Sequence, residues 1–108
     1  LENKVKFHYG TDFAANSGTT VCAFADGTVL AAGQSEGYGN YVKLGHAGGY
    51  ATLYGHCSKL LVHAGETVTL GQPIALVGAT GKATGPHLHL ELMHDGCYCN
   101  PEFYLAAP

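Results

Sequence analysis

The sequence predicts a small all-β protein, an antiparallel β-sandwich or two-sheet fold made of one domain. Sixteen glycines separate short apolar runs that are rich in β-branched and aromatic residues, which is typical of strands joined by tight turns. No longer segment keeps the hydrophobic period of an amphipathic helix. The 108 residues, of which 46% are hydrophobic and 12% charged, are enough to build a single core.

The strands are expected where apolar runs lie between turn residues. The predicted strands span residues 19–25, 28–32, 41–45, 50–55, 60–62, 66–70, 74–77 and 87–93. Asp26-Gly27 stands between two apolar runs and predicts a β-hairpin. The stretch His46 to Gly49 predicts the next turn, and Gly71-Gln72-Pro73 ends another strand. Residues 100–104 are expected to form one helical turn.

A short internal similarity predicts a duplicated strand motif. Residues 18–21 (Gly-Thr-Thr-Val) resemble residues 65–68 (Gly-Glu-Thr-Val). Each segment is followed by an apolar run that ends in glycine, at Gly33 and at Gly78. We therefore expect two related pairs of strands in the fold.

Charge and hydrophobicity exclude several classes of function. The net charge of -3 and the pI near 6.1 give no electrostatic reason to expect nucleic acid or an anionic membrane as partner. No apolar run approaches the roughly 20 residues of a membrane span, and no signal peptide is present. Because the chain begins at Leu1 without an initiator Met, we interpret residues 1–108 as one domain excised from a longer protein that carries any targeting segment.

The four cysteines leave the redox compartment open. Cys22 lies in an apolar run and is expected to be a small core residue. Cys97 and Cys99 could bind a metal or form a strained disulfide, but no second pair is spaced for a structural zinc site. We interpret all four as structural or incidental, together with Cys57.

Histidine is unusually abundant, with seven residues against five lysines and arginines together. Histidine is the commonest metal ligand, so this ratio favours a metal site. His87 and His89 stand two residues apart in the predicted strand 87–93. Because side chains alternate along a strand, both imidazoles project from one face, with Glu91 next in line.

His8 and Asp12 supply further candidate ligands near the other end of the chain. Positions four apart on a straight strand are about 13 Å distant, so the chain must bend between them, and Gly10 permits the bend. Adding one imidazole from strand 87–93 gives two histidines and a carboxylate. This set suits tetrahedral zinc with one position left for water. His56 is a further candidate.

These residues fall into three ordered motifs: His8-Tyr9-Gly10-Thr11-Asp12, Tyr54-Gly55-His56 and His87-Leu88-His89. Together they resemble the three motifs of the lysostaphin-type zinc endopeptidases, also called LytM-like peptidases. The segments 37–42, 71–74 and 78–87 are similar to that family as well. The resemblance therefore covers nearly the whole chain, from about residue 5 to residue 105.

The resemblance implies a zinc enzyme that hydrolyses peptide bonds in the stem peptides or cross-bridges of bacterial peptidoglycan. His8, Asp12 and His89 correspond to the metal ligands, while His56 and His87 correspond to two catalytic histidines that do not bind the ion. One catalytic histidine would serve as acid and base and the other would stabilise the oxyanion, in an order that the sequence leaves open. Zinc would activate the attacking water.

The same resemblance implies a groove with a sheet as its floor and loops as its walls. One or two of the seven tyrosines are expected to line this groove, because aromatic faces suit an extended peptide. The expected location is extracytoplasmic, in the cell envelope or secreted, and the domain is expected to be monomeric.

Two other functions stay open. Some relatives in this family have lost catalysis, so a scaffold or activator module of an envelope or sporulation complex, with envelope-protein partners and a retained metal site, is the main alternative. A lipoyl- or biotin-type carrier needs a lysine at a hairpin tip, and none of the five basic residues is placed there. Glu91 either orients a neighbouring imidazole or is a surface carboxylate. His46, His63 and His94 are expected to be turn or surface residues.

Overall fold

The computed structural model describes residues 4–6, 10–81, 83 and 85–99, with only the backbone described at residues 4–6 and 99. His8 and the helical turn expected at residues 100–104 lie outside these ranges. No helix within the described ranges has the length and apolar character needed to cross a lipid bilayer.

Ten strands account for most of the described chain, and all of them pair antiparallel. They are β1 Lys4–Lys6, β2 Thr11–Ala14, β3 Thr20–Cys22, β4 Gly27–Ser35, β5 Gly39–Gly45, β6 Tyr50–Leu60, β7 Thr67–Val68, β8 Pro73–Val77, β9 His87–His94 and β10 Cys97–Cys99. A 3-10 turn, Ala47–Gly49, joins β5 to β6 at the turn that the sequence predicts. The predicted all-β, antiparallel fold class is confirmed.

The long strand β6 is the junction of the fold. The main sheet runs in the order β1-β2-β9-β6-β5-β4-β7, with β10 added on β9. The first part of β6, residues 50–55, pairs with β9, and its second part, residues 57–60, pairs with β8. Strand β8 in turn pairs with β3. One strand therefore holds the main sheet and a smaller wing together.

The two similar segments pair reciprocally, each with the strand that follows the other. Strand β3 pairs with β8, and β7 pairs with β4. Gly18 N donates to Val77 O and Gly65 N donates to Val29 O, each at 2.8 Å. Both glycines have a positive φ, of 90° and 94°, which glycine adopts at little cost. The two segments thus occupy equivalent positions.

This reciprocal pairing makes the predicted hairpin at Asp26-Gly27 wrong. Strand β3 does not pair with β4, because it pairs with β8, which lies some fifty residues later in the chain. Another Asp-Gly dipeptide, Asp95-Gly96, does close a hairpin, between β9 and β10. Asp95 and Gly96 have φ values of 52° and 83°, as a two-residue type I′ turn requires.

The core lies between the main sheet and the smaller wing. Its largest fully buried side chains include Tyr54, Leu44, Ile74 and Val29. Cys57 is also fully buried, and burial raises the pKa of its thiol to about 11. The expectation that Cys22 is a core residue is wrong: on β3 the alternating pattern buries Val21 and leaves Cys22 exposed.

Candidate active site

Strands β2 and β9 bring Asp12 and His89 directly opposite each other in the sheet. Oδ1 of Asp12 lies 2.5 Å from Nδ1 of His89, and Oδ2 lies 3.2 Å from Nε2 of His87. The three side chains keep only 12–17% of their surface exposed. The structure therefore brings three of the five expected site residues together across a separation of more than seventy residues in sequence.

Gly10 allows β2 to approach β9 this closely. A Cβ atom added to Gly10 would lie 2.6 Å from the carbonyl oxygen of Leu90 and 2.9 Å from Cε1 of His89. Gly10 does not have a positive φ. The structure thus requires glycine at position 10 for close packing on β9. The bend that the sequence predicts between His8 and Asp12 cannot be compared, because His8 is outside the described residues.

A buried carboxylate holds the other side of the His89 ring. Nε2 of His89 lies 2.9 Å from Oε2 of Glu91, and the Tyr38 hydroxyl donates to the same oxygen at 2.6 Å. Glu91 is 2% exposed, so the alternative that it is a surface carboxylate is wrong. Its other oxygen, Oε1, is buried without a hydrogen-bond partner among the described residues.

His56 enters the site through an irregularity in β6. The pairing of β5 with β6 shifts between the pairs Asn40–Cys57 and Val42–Tyr54, which leaves an extra residue on β6 as in a β-bulge. His56 has a φ of 62° there, a conformation that costs a non-glycine residue energy and that occurs often at functional sites. The His56 ring centroid lies 4.8 Å from that of His87.

The loop that follows β8 fixes the two expected catalytic histidines through their Nδ1 atoms. Nδ1 of His56 lies 2.7 Å from the Thr80 carbonyl oxygen, and Nδ1 of His87 lies 2.8 Å from the Gly85 carbonyl oxygen. A carbonyl can only accept, so both Nδ1 atoms carry a hydrogen. In both rings Nε2 is therefore the nitrogen that can exchange a proton, and in His87 this atom lies 3.2 Å from Oδ2 of Asp12.

His89 is anchored through the other ring nitrogen, Nε2. Its Nε2 is bonded to Glu91, so its Nδ1 is the nitrogen that faces Asp12. A histidine that binds a metal through one nitrogen usually bonds a carboxylate or carbonyl through the other. The hydrogen-bond pattern thus separates His89 from the two histidines anchored by backbone carbonyls.

The environment shifts the pKa values of His56 and His89 in opposite directions. Burial lowers the pKa of His56, with smaller contributions from the neighbouring imidazoles of His87 and His89, although its bond to Thr80 partly offsets this. Burial also acts to lower the pKa of His89, but the hydrogen bonds and charges of Glu91 and Asp12 outweigh it and raise that pKa.

The donors fit a zinc ion in their chemistry. Asp12 and His89 offer one carboxylate oxygen and one imidazole nitrogen that point at each other, and Glu91 stands behind the ring. Among the described side chains no group of three histidine, cysteine or acidic residues is arranged to hold an ion. The third expected ligand, His8, is not one of those described residues.

The other histidines lie outside this site, as expected from the sequence. His46 bridges the Asp26 carbonyl and the Thr52 hydroxyl, at 2.8 and 2.7 Å. His94 stacks on Tyr50 with ring centroids 4.2 Å apart, and His63 is exposed beside Glu66.

Sequence reasoning left two residues of this network without a definite role, Tyr38 and Glu91. The alternation His87, His89, Glu91 along β9 predicts that the three side chains share one face, but it says nothing about burial. Tyr38 belongs to a loop-to-strand segment, residues 37–42, and only the folded chain shows that its hydroxyl reaches Glu91.

Comparison with known proteins identifies the family of the chain. Residues 6–101 match peptidase family M23. The chain is 43% identical over 101 residues to the peptidoglycan DD-endopeptidase ShyC of Vibrio cholerae, covering 94% of this chain and 23% of that relative. It spans about a quarter of the length of the curated relatives that it matches.

Two solved structures have the same fold. The catalytic domain of lysostaphin from Staphylococcus simulans superposes with a TM-score of 0.87 at 38% identity, over 93% of this chain and 80% of that one. A zinc-containing peptidase from Vibrio cholerae gives a TM-score of 0.82 at 43% identity, over 85% of this chain and 28% of that one. The chain thus belongs to peptidase family M23.

Proposed function

We propose that this chain is the catalytic domain of a zinc-dependent endopeptidase that hydrolyses peptide bonds in bacterial peptidoglycan. The observation that carries the proposal is the opposite anchoring of its imidazoles. His89 turns Nδ1 toward Asp12 while Glu91 holds its Nε2. His56 and His87 are held through Nδ1 by backbone carbonyls, so Nε2 is the nitrogen of each ring that would transfer a proton, and in His87 it lies beside Oδ2 of Asp12.

His8, Asp12 and His89 would hold the zinc ion. Two imidazoles and one carboxylate form a set that catalytic zinc sites use with an open position. Zinc would supply Lewis acidity, which makes water more acidic and polarises a carbonyl oxygen. The raised pKa of His89 reflects the two carboxylates beside it, and the same negative charge favours a cation at this point.

His56 and His87 would move the proton and stabilise the oxyanion. The lowered pKa of His56 keeps its imidazole neutral near physiological pH, so that Nε2 can accept a proton from water. A histidine that carries hydrogens on both nitrogens can donate one to the leaving amine or to the oxyanion. Which histidine takes which role stays open in this proposal.

The substrate class rests on the relatives together with the site. ShyC is named as a peptidoglycan DD-endopeptidase and is 43% identical to this chain. We infer that the substrate is a stem peptide or a peptide cross-bridge of the cell wall, and that the enzyme acts outside the cytoplasm. Envelope-protein partners and a monomeric state stay predictions.

The test uses purified, zinc-loaded protein and isolated peptidoglycan of several cross-bridge types. We expect new amino termini to appear, with fragments identified by mass spectrometry, and no release by His87→Ala or Asp12→Ala. Asp95→Asn is the matched control, because Asn-Gly also forms the type I′ turn found there. If the zinc-loaded protein released no amino termini from any of these walls, the proposed function would be wrong.

A further inference from the structure

A cleft of about 540 Å³ lies beside the candidate active site. It is on the sheet face that carries His89, because its lining residue Glu91 follows His89 by two positions on β9. Its lining includes Tyr38, Tyr41, Tyr98, Leu53, Lys43 and Glu91. Glu91 is shared with the histidine network, because its Oε2 atom also bonds His89. A peptide that lies in the active site can therefore continue into this cleft without leaving the sheet. We refer to it as the tyrosine cleft.

The strand register places Lys43 in a row with Glu91. Lys43 pairs with Leu53, and Leu53 pairs with Glu91, so the three residues stand side by side on one face of β5, β6 and β9. His89 pairs with Gly55 in the next row. With strands about 4.8 Å apart, the Cα of Lys43 lies ~10 Å from that of Glu91 and ~12 Å from that of His89.

Among the described side chains, Lys43 is the one basic group that lines the tyrosine cleft. Every ion pair found between described side chains joins a histidine to an acidic residue, so no carboxylate of the described residues neutralises the Lys43 ammonium. Glu91, the one acidic side chain of the cleft lining within the described part of the chain, already accepts from Tyr38 and His89. The side chain of Lys43 is half-buried, which weakens the screening of its charge by water.

We propose that Lys43 is a recognition site for a carboxylate of the substrate, and that the enzyme prefers peptides with a free carboxylate near the cleaved bond. This inference rests on the proposed peptidase function and adds a substrate class to it. An extended peptide advances about 3.3 Å per residue, so the distance between Lys43 and His89 corresponds to a carboxylate roughly two to four residues from that bond. The surrounding tyrosines supply aromatic faces for the peptide between these points.

Charge complementarity favours a peptide carboxylate over a polyanion. A nucleic acid or phosphate-rich ligand is usually held by several basic groups, whereas the described side chains of the cleft lining include one. A single ammonium with neutral phenol neighbours suits a single negative charge. A lysine also binds as a point charge and does not require bidentate geometry, so a side-chain carboxylate or a terminal one can be accepted.

The test compares paired synthetic peptides that differ in one group, a carboxylate or the carboxamide of the same size. The pair is made for each position from two to four residues on either side of the cleaved bond. For the wild type we expect kcat/KM to be about tenfold higher with the carboxylate at one of these positions, the usual size of a charge-assisted contact. Lys43→Met should remove this preference and leave hydrolysis of the carboxamide peptide unchanged.

Lys59→Met is the matched control, because Lys59 is an exposed lysine of β6 that does not line the cleft. It should keep the full carboxylate preference. Lys43→Glu should invert the preference toward peptides with a basic group at the same position. Equal hydrolysis of both members of every pair by the wild type, or an unchanged preference in Lys43→Met, would overturn the inference while the peptidase function stands.

A binding measurement separates the inference from the proposed function. Calorimetry on His87→Ala measures the affinity for each peptide without turnover. The same measurement on His87→Ala/Lys43→Met gives the contribution of the lysine as the difference between the two variants. We expect the carboxylate peptide to bind about tenfold more tightly to the first variant, and both peptides to bind equally to the second. If the wild type hydrolysed nothing but this difference persisted, the peptidase proposal would fail and the carboxylate site would remain. No difference in binding would overturn the site.

Discussion

Nε2 of His89 lies 2.9 Å from Oε2 of Glu91, a carboxylate that is 2% exposed and that also accepts the Tyr38 hydroxyl at 2.6 Å. The hydrogen bond orients the ring so that Nδ1 faces Asp12. The imidazole and the phenol together supply hydrogen-bond partners to Oε2 of this buried carboxylate, which lowers the cost of its burial. The contact links the expected metal site to the tyrosine cleft.

Glu91→Gln should weaken zinc binding about 10–100-fold, the usual cost of losing a carboxylate behind a metal-binding histidine. The amide keeps the size of the side chain but removes the negative charge that supports the ring. Competition with a chromogenic chelator measures the affinity. Tyr38→Phe, which removes one of the two hydrogen bonds to Oε2, should give a smaller loss. Unchanged zinc affinity in Glu91→Gln would contradict a positioning role.

Gly10→Ala should destabilise the protein by about 1–3 kcal/mol, because an added methyl group overpacks against β9. The new Cβ would stand 2.6 Å from a backbone oxygen, which cannot rotate away. The resulting shift between β2 and β9 should also lower kcat/KM, since it displaces Asp12 from His89. Gly33→Ala is the matched control: it lies in β4 with no atom within 4 Å of the added Cβ. Equal urea midpoints for the two variants would refute this explanation of Gly10.

His56→Asn should abolish most activity while it changes stability little. Asparagine tolerates the left-handed conformation that His56 adopts at a φ of 62°, but it cannot exchange a proton near neutral pH. We expect kcat to fall about 10²–10⁴-fold, the range for loss of a general acid or base. His56→Ala should be equally inactive and about 1 kcal/mol less stable than His56→Asn. An alanine variant as stable as the asparagine variant would show that the backbone carries no strain here.

Removal of zinc should lower the thermal midpoint of the wild type, because an ion that binds only the folded state stabilises it by mass action. At a free zinc concentration about a thousand times the dissociation constant, the effect is about 4 kcal/mol. Asp12→Asn and His8→Ala should show no difference between chelated and zinc-loaded samples. Asp95→Asn should keep the full difference. Calorimetric scans with and without a chelator measure it, and a persistent shift in Asp12→Asn would exclude that residue as a ligand.

Cys57 should make the fold sensitive to alkaline pH. Burial raises the pKa of its thiol from 9.0 to about 11, so folding favours the protonated form. This stabilisation is complete below the unfolded pKa and is lost as the pH rises toward the folded pKa. The free energy of unfolding, followed with urea, should therefore fall between about pH 9 and 11. Cys57→Ala should show a shallower fall, and identical slopes would show that the thiol does not contribute.

Local sequence patterns predicted the parts of the fold that depend on neighbouring residues. The alternation in β9 places His87 and His89 on one face, and the Asp95-Gly96 dipeptide forms the hairpin turn that its residue types favour. Cys22 shows the limit of the same reasoning. An apolar run predicts a strand, but which of its faces meets the core depends on partners elsewhere in the chain.

Long-range pairing accounts for what the sequence did not show. Asp26-Gly27 has the composition of a hairpin turn, yet β3 pairs with β8, some fifty residues away. The burial of Glu91 could not be predicted from its position in the sequence, because it depends on the pairing with β6 and on the contact with Tyr38. A single lysine in a strand does not by itself indicate a binding site. The place of Lys43 in the tyrosine cleft follows from the register of three strands.

The reciprocal pairing of β3 with β8 and of β7 with β4 has a consequence for association between molecules. In each pair, one strand comes from the first half of the chain and the other from the second half. The second half of another copy of the chain therefore offers the same backbone donors and acceptors to β3 and β4. Two chains that open between β5 and β6 could therefore exchange halves and regain every one of these hydrogen bonds, which is the condition for domain swapping. Ala47–Gly49 is the short turn that joins the two halves. Shortening it, so that the halves can no longer fold back on each other, should shift the balance toward the exchanged dimer, whereas lengthening it should favour the single molecule.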